Sequence, residues 1–324
     1  MQIPRFYLNA EVPLALRYVF SISAPMFVVT SEIMMGLMNG KHNFRYIFFK
    51  AAFIIFIGAI TDLIINKTVP FEGFDILYLI GYALPVTYLV RKWNNKAILI
   101  LIILILIASP YLRQKFGYED LVFNIANFST LNIIPKEAAF KSWFINGWFP
   151  MFPWLAFMLS GLIVGKIYKN YEALSKDYFQ SPLHLLAFSW VLMGGIVILA
   201  ISPSDMPNRN GYHCIFYPAT TGIFIALLGA TGILMHSANY IKHLKFSKRF
   251  IHPIGRSSLA IYPIHLIYIN NILEPIFGKM DSIILFSITY IIHLMLLRLT
   301  VFLFDLLKSR SPSLPSPVYW LIGR

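Results

Sequence analysis

Long apolar runs separated by short polar or basic stretches recur along almost the whole chain. A helix needs about 20 predominantly apolar residues to cross the hydrocarbon core of a bilayer, within a range of roughly 17–25. On that measure the pattern predicts spans near 17–38, 46–66, 74–90, 97–112, 147–167, 185–203, 214–236, 257–273 and 282–304. The expected fold is all-α, a polytopic membrane bundle of about nine helices. No internal repeat or dividing linker interrupts it, so residues 1–310 read as one transmembrane domain. The Ser- and Pro-rich residues 311–324 read as an irregular cytoplasmic tail. One connection, 113–146, is long enough to be functional or to carry an interfacial helix.

Composition agrees, with 58% hydrophobic and 13% charged residues, against about 45–50% and about 25% in soluble domains. A net charge of +13 would ordinarily raise nucleic acid as a partner. Here the cations gather in short loops and form no basic groove or nucleic-acid-binding motif, so positive-inside bias accounts for them. Of the cations assigned to loops, 17 fall in one set, among them Arg45, Arg91, Lys92 and Arg256, and 8 in the other. The richer set is expected to face the cytoplasm, which places the carboxyl end inside and, with nine spans, the amino end outside. Cys214 is the single cysteine, which excludes an intrachain disulfide and a cysteine metal cluster. The first residues lack the apolar core and small-residue cleavage site of a signal peptide, so targeting is expected to come from the spans.

Ionisable side chains at membrane depth are rare and are functional-site candidates by default. Glu32, Asp62, Asp75, His265, His293 and Arg298 qualify. With a rise of about 1.5 Å per residue, His265 lies about 12 Å along the eighth span from Ser257, and His293 about 16 Å along the ninth from Ser282. The two imidazoles therefore fall at one level on consecutive antiparallel helices. His265 reads either as a neutral core histidine bonded to a hydroxyl or carbonyl, or as part of a reaction site. For His293 an interhelical hydrogen bond is reason enough. Arg298 and Lys50 read as snorkelling to the headgroups. Glu32 either pairs with a histidine or arginine elsewhere in the bundle or takes part in chemistry directly. Asp62 and Asp75 flank an outer loop, where solvation suffices for both.

Aromatic residues, including Trp143, Trp148, Phe149 and Trp154, crowd the start of the fifth span, as an interfacial belt or as a platform for a sugar or lipid-linked substrate. Gly161 and Gly165 have the GxxxG spacing of close helix packing. The phosphate-binding loops, zinc spacings and nucleophile elbows of soluble enzymes do not occur.

Five stretches in order, "MFVVTSEIMMGLM", "FRYIFFKAAFIIFIG", "FDILYLIGYALPVTYLV", "GWFPMFPWLAFMLSGLIVGK" and "GRSSLAIYPIHLIYI", resemble the transmembrane acyltransferases. The nearest branch is the bacterial relatives of heparan-alpha-glucosaminide N-acetyltransferase; the acyltransferase-3 polysaccharide O-acetylases are more distant. The resemblance covers about residues 18–305. It implies an integral enzyme of the bacterial cytoplasmic membrane that passes an acetyl group from cytoplasmic acetyl-CoA, with no metal, to a cell-envelope carbohydrate or lipid-linked saccharide on the far side.

By the same resemblance, His265 lines the transfer cavity with Tyr262 one turn before it, Trp148 and Trp154 close its outer face, and Arg45 sits by a coenzyme A phosphate. Such chemistry needs a base for a sugar hydroxyl or amine, which His265 suits; Tyr262 and Glu32 complete the catalytic candidates. Arg45, Arg91, Lys92 and Arg256 are the candidate phosphate-binding cations. Asp75, Trp148, Trp154 and His293 are candidates on the acceptor side. Membrane lipid and a second copy of the chain are further expected partners.

One departure stands out. Members of the family usually begin with one more helix ending near a histidine, where this chain offers "FYLNAEVP", with Asn9 and Glu11. That leaves His265 as the base, or an impaired remnant of the family, or a start codon drawn too late. The rival class is a transporter or flippase using a histidine and an acid as a proton relay. It should show repeats with broken helices in matching positions, and the sequence has none.

Overall fold

The computed structural model describes residues 19, 21–38, 42–118, 139–174, 177–201, 219–278, 280, 282–311 and 315–323. Among these the chain is predominantly helical and contains no strand. A helix falls in each of the nine apolar intervals: α1 Ser23–Leu37, α2 Phe44–Ile60, α3 Ile76–Val90, α4 Asn95–Phe116, α5 Met151–Ala173, α6 Pro182–Ile201, α7 Thr221–Ile241, α8 Ser258–Tyr268 and α9 Ile283–Arg310. Six are long and apolar enough to cross a membrane: α2 with its π-helical continuation Thr61–Asn66, then α4, α5, α6, α7 and α9. α1 and α3 are shorter, at 15 residues each. α8 has 11 residues and is prolonged by a π-helical turn, Ile269–Leu273, and a short helix, Glu274–Phe277. The middle of the 113–146 connection, Cys214, Asn9 and Glu11 lie outside the described residues.

The described chain forms two compact units, Arg17–Ser237 and Ala238–Arg324. In the first, polar caps start the helices: Asn43, Asp75 and Asn94 each accept a backbone N–H of the turn that follows, at 2.9, 2.7 and 2.7 Å. These bonds satisfy donors that a helix start otherwise leaves open. α4 shows how the apolar pattern is used. Ile98, Ile102, Ile105 and Ser109 form a buried stripe, while Leu99, Ile100, Ile103, Leu104 and Ile107 stay exposed. In a soluble protein that outer face would be an aggregation hazard; in a bilayer it is the lipid contact.

Lipid tails are as apolar as leucine, so helices in a membrane associate through close packing rather than through the hydrophobic effect. The first unit meets this requirement with glycine. A Cβ placed on Gly161 would lie 2.4 Å from the Val29 carbonyl oxygen, and one on Gly165 2.5 Å from that of Ile33. Gly36 faces Gly165 from the other side, where a Cβ would come within 2.9 Å of its backbone. α1 and α5 therefore touch backbone to backbone. The same device recurs between α6 and α7, where a Cβ on Gly195 would lie 2.3 Å from the Ala226 nitrogen and one on Gly229 2.4 Å from that of Leu192.

In the second unit α8 packs against α9 and against a further helix, α10, Ser316–Ile322. The tail is thus helical where irregular chain is expected. Pro317 falls in the first turn, where its missing N–H is no loss, and the apolar "VYWLI" continues the helix. Ser257 Oγ donates to the Ile322 carbonyl at 2.7 Å. Gly323, at φ +76°, lies so close to the Arg256 carbonyl that a Cβ would come within 2.3 Å of it.

Gly165→Val should lower the unfolding temperature of the detergent-solubilised protein, at a cost of about 1–3 kcal/mol from overpacking. Gly194→Ala, where an added methyl meets nothing within 4 Å, should leave the unfolding temperature unchanged or slightly raised.

Candidate functional site

α8 and α9 carry the histidines. Tyr262 and His265 stand about one turn apart on α8, their ring centroids 5.2 Å apart. The His265 ring meets that of His293 on α9 at 6.3 Å, and His293 also meets Tyr268 at 6.4 Å. The equal depth expected from helical rise is therefore accompanied by facing orientations. His265 Nδ1 lies 3.3 Å from the Ile261 carbonyl oxygen. Donation from Nδ1 to that carbonyl leaves Nε2 with the lone pair that a base requires. His293 is buried and its Nδ1 has no hydrogen-bond partner, whereas His265 is only half-buried.

Apolar clusters lie on either side of these imidazoles along the helices. One contains Ile261, Leu297 and Val301, the other Ile269, Leu273 and Met280. His265 and His293 thus lie between the two clusters along their helices, with Tyr262 beside Ile261 of the first. Such a pair is costly to retain in a membrane protein and marks a functional site by default.

Arg256, at the foot of α8, is not the free cation expected for a phosphate. Its guanidinium donates to Asp305 at 2.7 Å, and Lys308 reaches the same oxygen at 3.2 Å. Arg298 does not extend to the headgroups as a free side chain, since its Nε donates to the Arg249 carbonyl at 3.2 Å.

The remaining candidates belong to the first unit. Glu32 on α1 has no exposed surface, and neither carboxylate oxygen makes a hydrogen bond. Thr87 stands near it, but its hydroxyl donates to the carbonyls of Ala83 and Leu84. Among the described residues no histidine or arginine is ion-paired or hydrogen-bonded to Glu32; the cation whose charge reaches it is Lys50 on α2. Lys50, expected to snorkel, is turned partly inward.

At the end of the unit formed by the α1–α2 and α3–α4 connections, the Arg91 guanidinium lies over the Tyr88 ring at 3.3 Å and donates to the Tyr88 carbonyl. Phe44 meets the same ring at 5.5 Å, and Arg45 beside it is exposed over Phe49 at 5.7 Å. Lys92 is exposed. These three cations share one rim, with Tyr88 as its centre.

At the opposite end, three acceptor-side candidates have structural employment. Asp75 caps α3, with its carboxylate accepting the Ile76 N–H at 2.7 Å. Trp148 is half-buried, its backbone N–H donated to Gly73 at 2.8 Å. Trp154 has no exposed surface and packs on Phe149 and Phe157 at 4.7 and 5.1 Å, so it is a core residue here and presents no face to an acceptor.

Two constellations escape the sequence reading. Asp62 is buried rather than solvated, accepting from Tyr78 Oη at 2.6 Å and Asn66 Nδ2 at 3.2 Å, while Tyr78 accepts the Phe71 N–H at 3.3 Å. The π-helical turn Thr61–Asn66 and the left-handed Lys67, at φ 54°, bring the two ends of that loop together. The second is a stacked pair, His184 and His236, with centroids 6.2 Å apart and His184 Nε2 2.9 Å from the Gly232 carbonyl oxygen. Both histidines sit at helix ends on consecutive spans, a depth match of the kind that singles out His265 and His293. Among the described residues no group of three or more His, Cys, Asp or Glu side chains could hold a metal ion.

A family model described as heparan-alpha-glucosaminide N-acetyltransferase, catalytic, matches residues 7–201, more than half of the chain. The chain belongs to that family. This heparan-alpha-glucosaminide N-acetyltransferase relative matches no curated protein and no solved structure. Within the matched stretch lie Glu32, Arg45, Asp75, Arg91, Lys92, Trp148 and Trp154; Arg256, Tyr262, His265 and His293 lie beyond it. The family draws in general on donors derived from acetyl-CoA, and the six long apolar helices of this chain agree with an integral membrane protein.

Tyr78→Phe removes one of the donors to a buried carboxylate. It should destabilise the first unit by about 1–3 kcal/mol, read as a lower unfolding temperature, with a smaller loss for Asn66→Ala at the partly buried donor.

Proposed function

We propose that the protein is an acetyltransferase of the bacterial cytoplasmic membrane that transfers the acetyl group of acetyl-CoA to a hydroxyl or amine of a cell-envelope carbohydrate or lipid-linked saccharide. Nine spans, with the amino end outside and the carboxyl end in the cytoplasm, are part of this reading. It is supported by the family match, by the cation bias of the loops and above all by one observation: the facing imidazoles of His265 and His293, with Tyr262 against His265, on helices whose other inward residues there are apolar.

In this reading His265 Nε2 takes the proton of the acceptor hydroxyl or amine as its oxygen or nitrogen bonds to the thioester carbonyl carbon. The carbon–sulfur bond breaks, and the coenzyme A thiolate leaves and recovers the proton. The donor's phosphates are assigned to Arg45, Arg91 and Lys92, exposed or half-exposed on one rim. Arg256 stays in the assignment only as a cation that must exchange Asp305 for phosphate. Glu32, buried with neither carboxylate oxygen hydrogen-bonded, stays in this reading as a catalytic candidate of the first unit.

The test is acetyl transfer and release of free CoA by purified protein in lipid nanodiscs, offered acetyl-CoA and a panel of envelope sugars. His265→Ala should lower turnover by about 10²–10⁴-fold, the range general-base catalysis supplies; full turnover in that variant would refute the assignment. Arg45→Gln should raise the KM for acetyl-CoA several-fold with kcat little changed, as expected for uniform binding of the donor. Sugar or anion uptake into proteoliposomes without CoA release would point to the transporter class instead.

A further inference from the structure

The second unit contains an open groove of about 540 Å³ that the acetyl-transfer reading leaves unused. Its cations are Lys245, Arg249 and Arg298, and its apolar wall includes Phe246, Phe250 and Phe302. The π-helical turn Ser247–Ile251 supplies Arg249 and Phe250, and α9 supplies Arg298 and Phe302. The spacing sorts the two chemistries: Lys245 and Arg249 are four residues apart, as are Phe246 and Phe250, whose rings stack at 5.4 Å and 10°. Four residues is about one helical turn, so each pair shares a side.

Arg298 is held by its Nε to the Arg249 carbonyl, but its Nη1 is buried without a hydrogen-bond partner. A buried guanidinium N–H without an acceptor is costly, and an anionic oxygen satisfies it best.

A small soluble anion would leave the three phenyl rings without purpose, and a neutral lipid would leave the three cations without one. The combination fits an anion covalently joined to hydrocarbon. In a membrane protein the available species of that kind is an anionic phospholipid, and basic pockets between helices are a recurrent way of holding such headgroups. We propose that this groove seats an anionic phospholipid, with its phosphate among Lys245, Arg249 and Arg298 and an acyl chain along Phe246, Phe250 and Phe302. The site is independent of the acetyl-transfer assignment and stands or falls separately from it.

The test is a thermal-unfolding titration of the full chain in detergent with dioleoylphosphatidylglycerol, dioleoylphosphatidylcholine, inorganic phosphate or acetyl-CoA. Phosphatidylglycerol should raise the unfolding temperature by a few degrees, as a ligand of the folded state does, and the other three should not act through this groove. The double variant Lys245→Gln/Arg249→Gln changes two exposed side chains and should abolish the phosphatidylglycerol effect while keeping the lipid-free unfolding temperature. Equal shifts from both lipids, or a phosphatidylglycerol shift that survives in the variant, would overturn the proposal. So would a variant-sensitive shift from inorganic phosphate or acetyl-CoA, because the groove would then read a soluble phosphate. Should the double variant not survive purification, native mass spectrometry of Lys245→Gln should find fewer retained phosphatidylglycerol molecules than in the parent, and an unchanged count overturns the assignment equally.

Discussion

At Gly36, Gly161 and Gly165 the contact between α1 and α5 is made by main chain, because those residues put no side chain between the two helices. Packing of this kind is available only to residues without side chains, and in a bilayer it replaces the hydrophobic drive that would assemble a soluble bundle. It also fixes what lies next to it. A Cβ on Gly161 would approach the Glu32 Cβ to 3.0 Å, so the carboxylate of Glu32 is enclosed because its helix is drawn so close. The burial of that acid and the closeness of the helices are one fact seen from two sides.

Two buried acids in the same unit are treated in opposite ways. Asp62 has a tyrosine and an asparagine donating to it, arranged by a widened turn and a left-handed residue. Neither oxygen of Glu32 makes a hydrogen bond, and Thr87, which stands near it, turns its hydroxyl to its own helix. An acid with its bonds satisfied belongs to the architecture, whereas one without them is an expensive feature that a chain keeps for a reason. By that criterion Glu32 and the His293 Nδ1 are, with Arg298 Nη1 and others among the described residues, places where the molecule departs from the demands of its own stability.

The helices were legible because a bilayer asks for one thing, sustained apolar length, and each of the nine intervals holds a helix. What the intervals could not supply was continuity. α8 breaks into α, π and α pieces around Tyr268 and Glu274, and α1 and α3 stop at 15 residues, since hydropathy does not report where the backbone changes its winding. The neighbouring levels of His265 and His293 followed from rise per residue alone, a one-dimensional argument. Roles that depend on angle did not follow in that way. Trp154 points into the core and Arg256 is turned to Asp305, directions set by residues elsewhere in the chain, while Asp75 is taken up as the cap of its own helix. The Asp62–Tyr78 bond needed a loop conformation with positive φ at non-glycine residues, which pattern and composition do not encode.

The first turn of α8 has no side chain capping it, and the hydroxyl of Ser257 that might have served is spent on the Ile322 carbonyl. With Gly323 seated against Arg256, the end of the chain acts as a latch on the start of the helix that carries Tyr262 and His265. That brace stands about two turns from the imidazole, so the residues beyond Pro315 help fix the direction of a helix whose histidine lies well away from them.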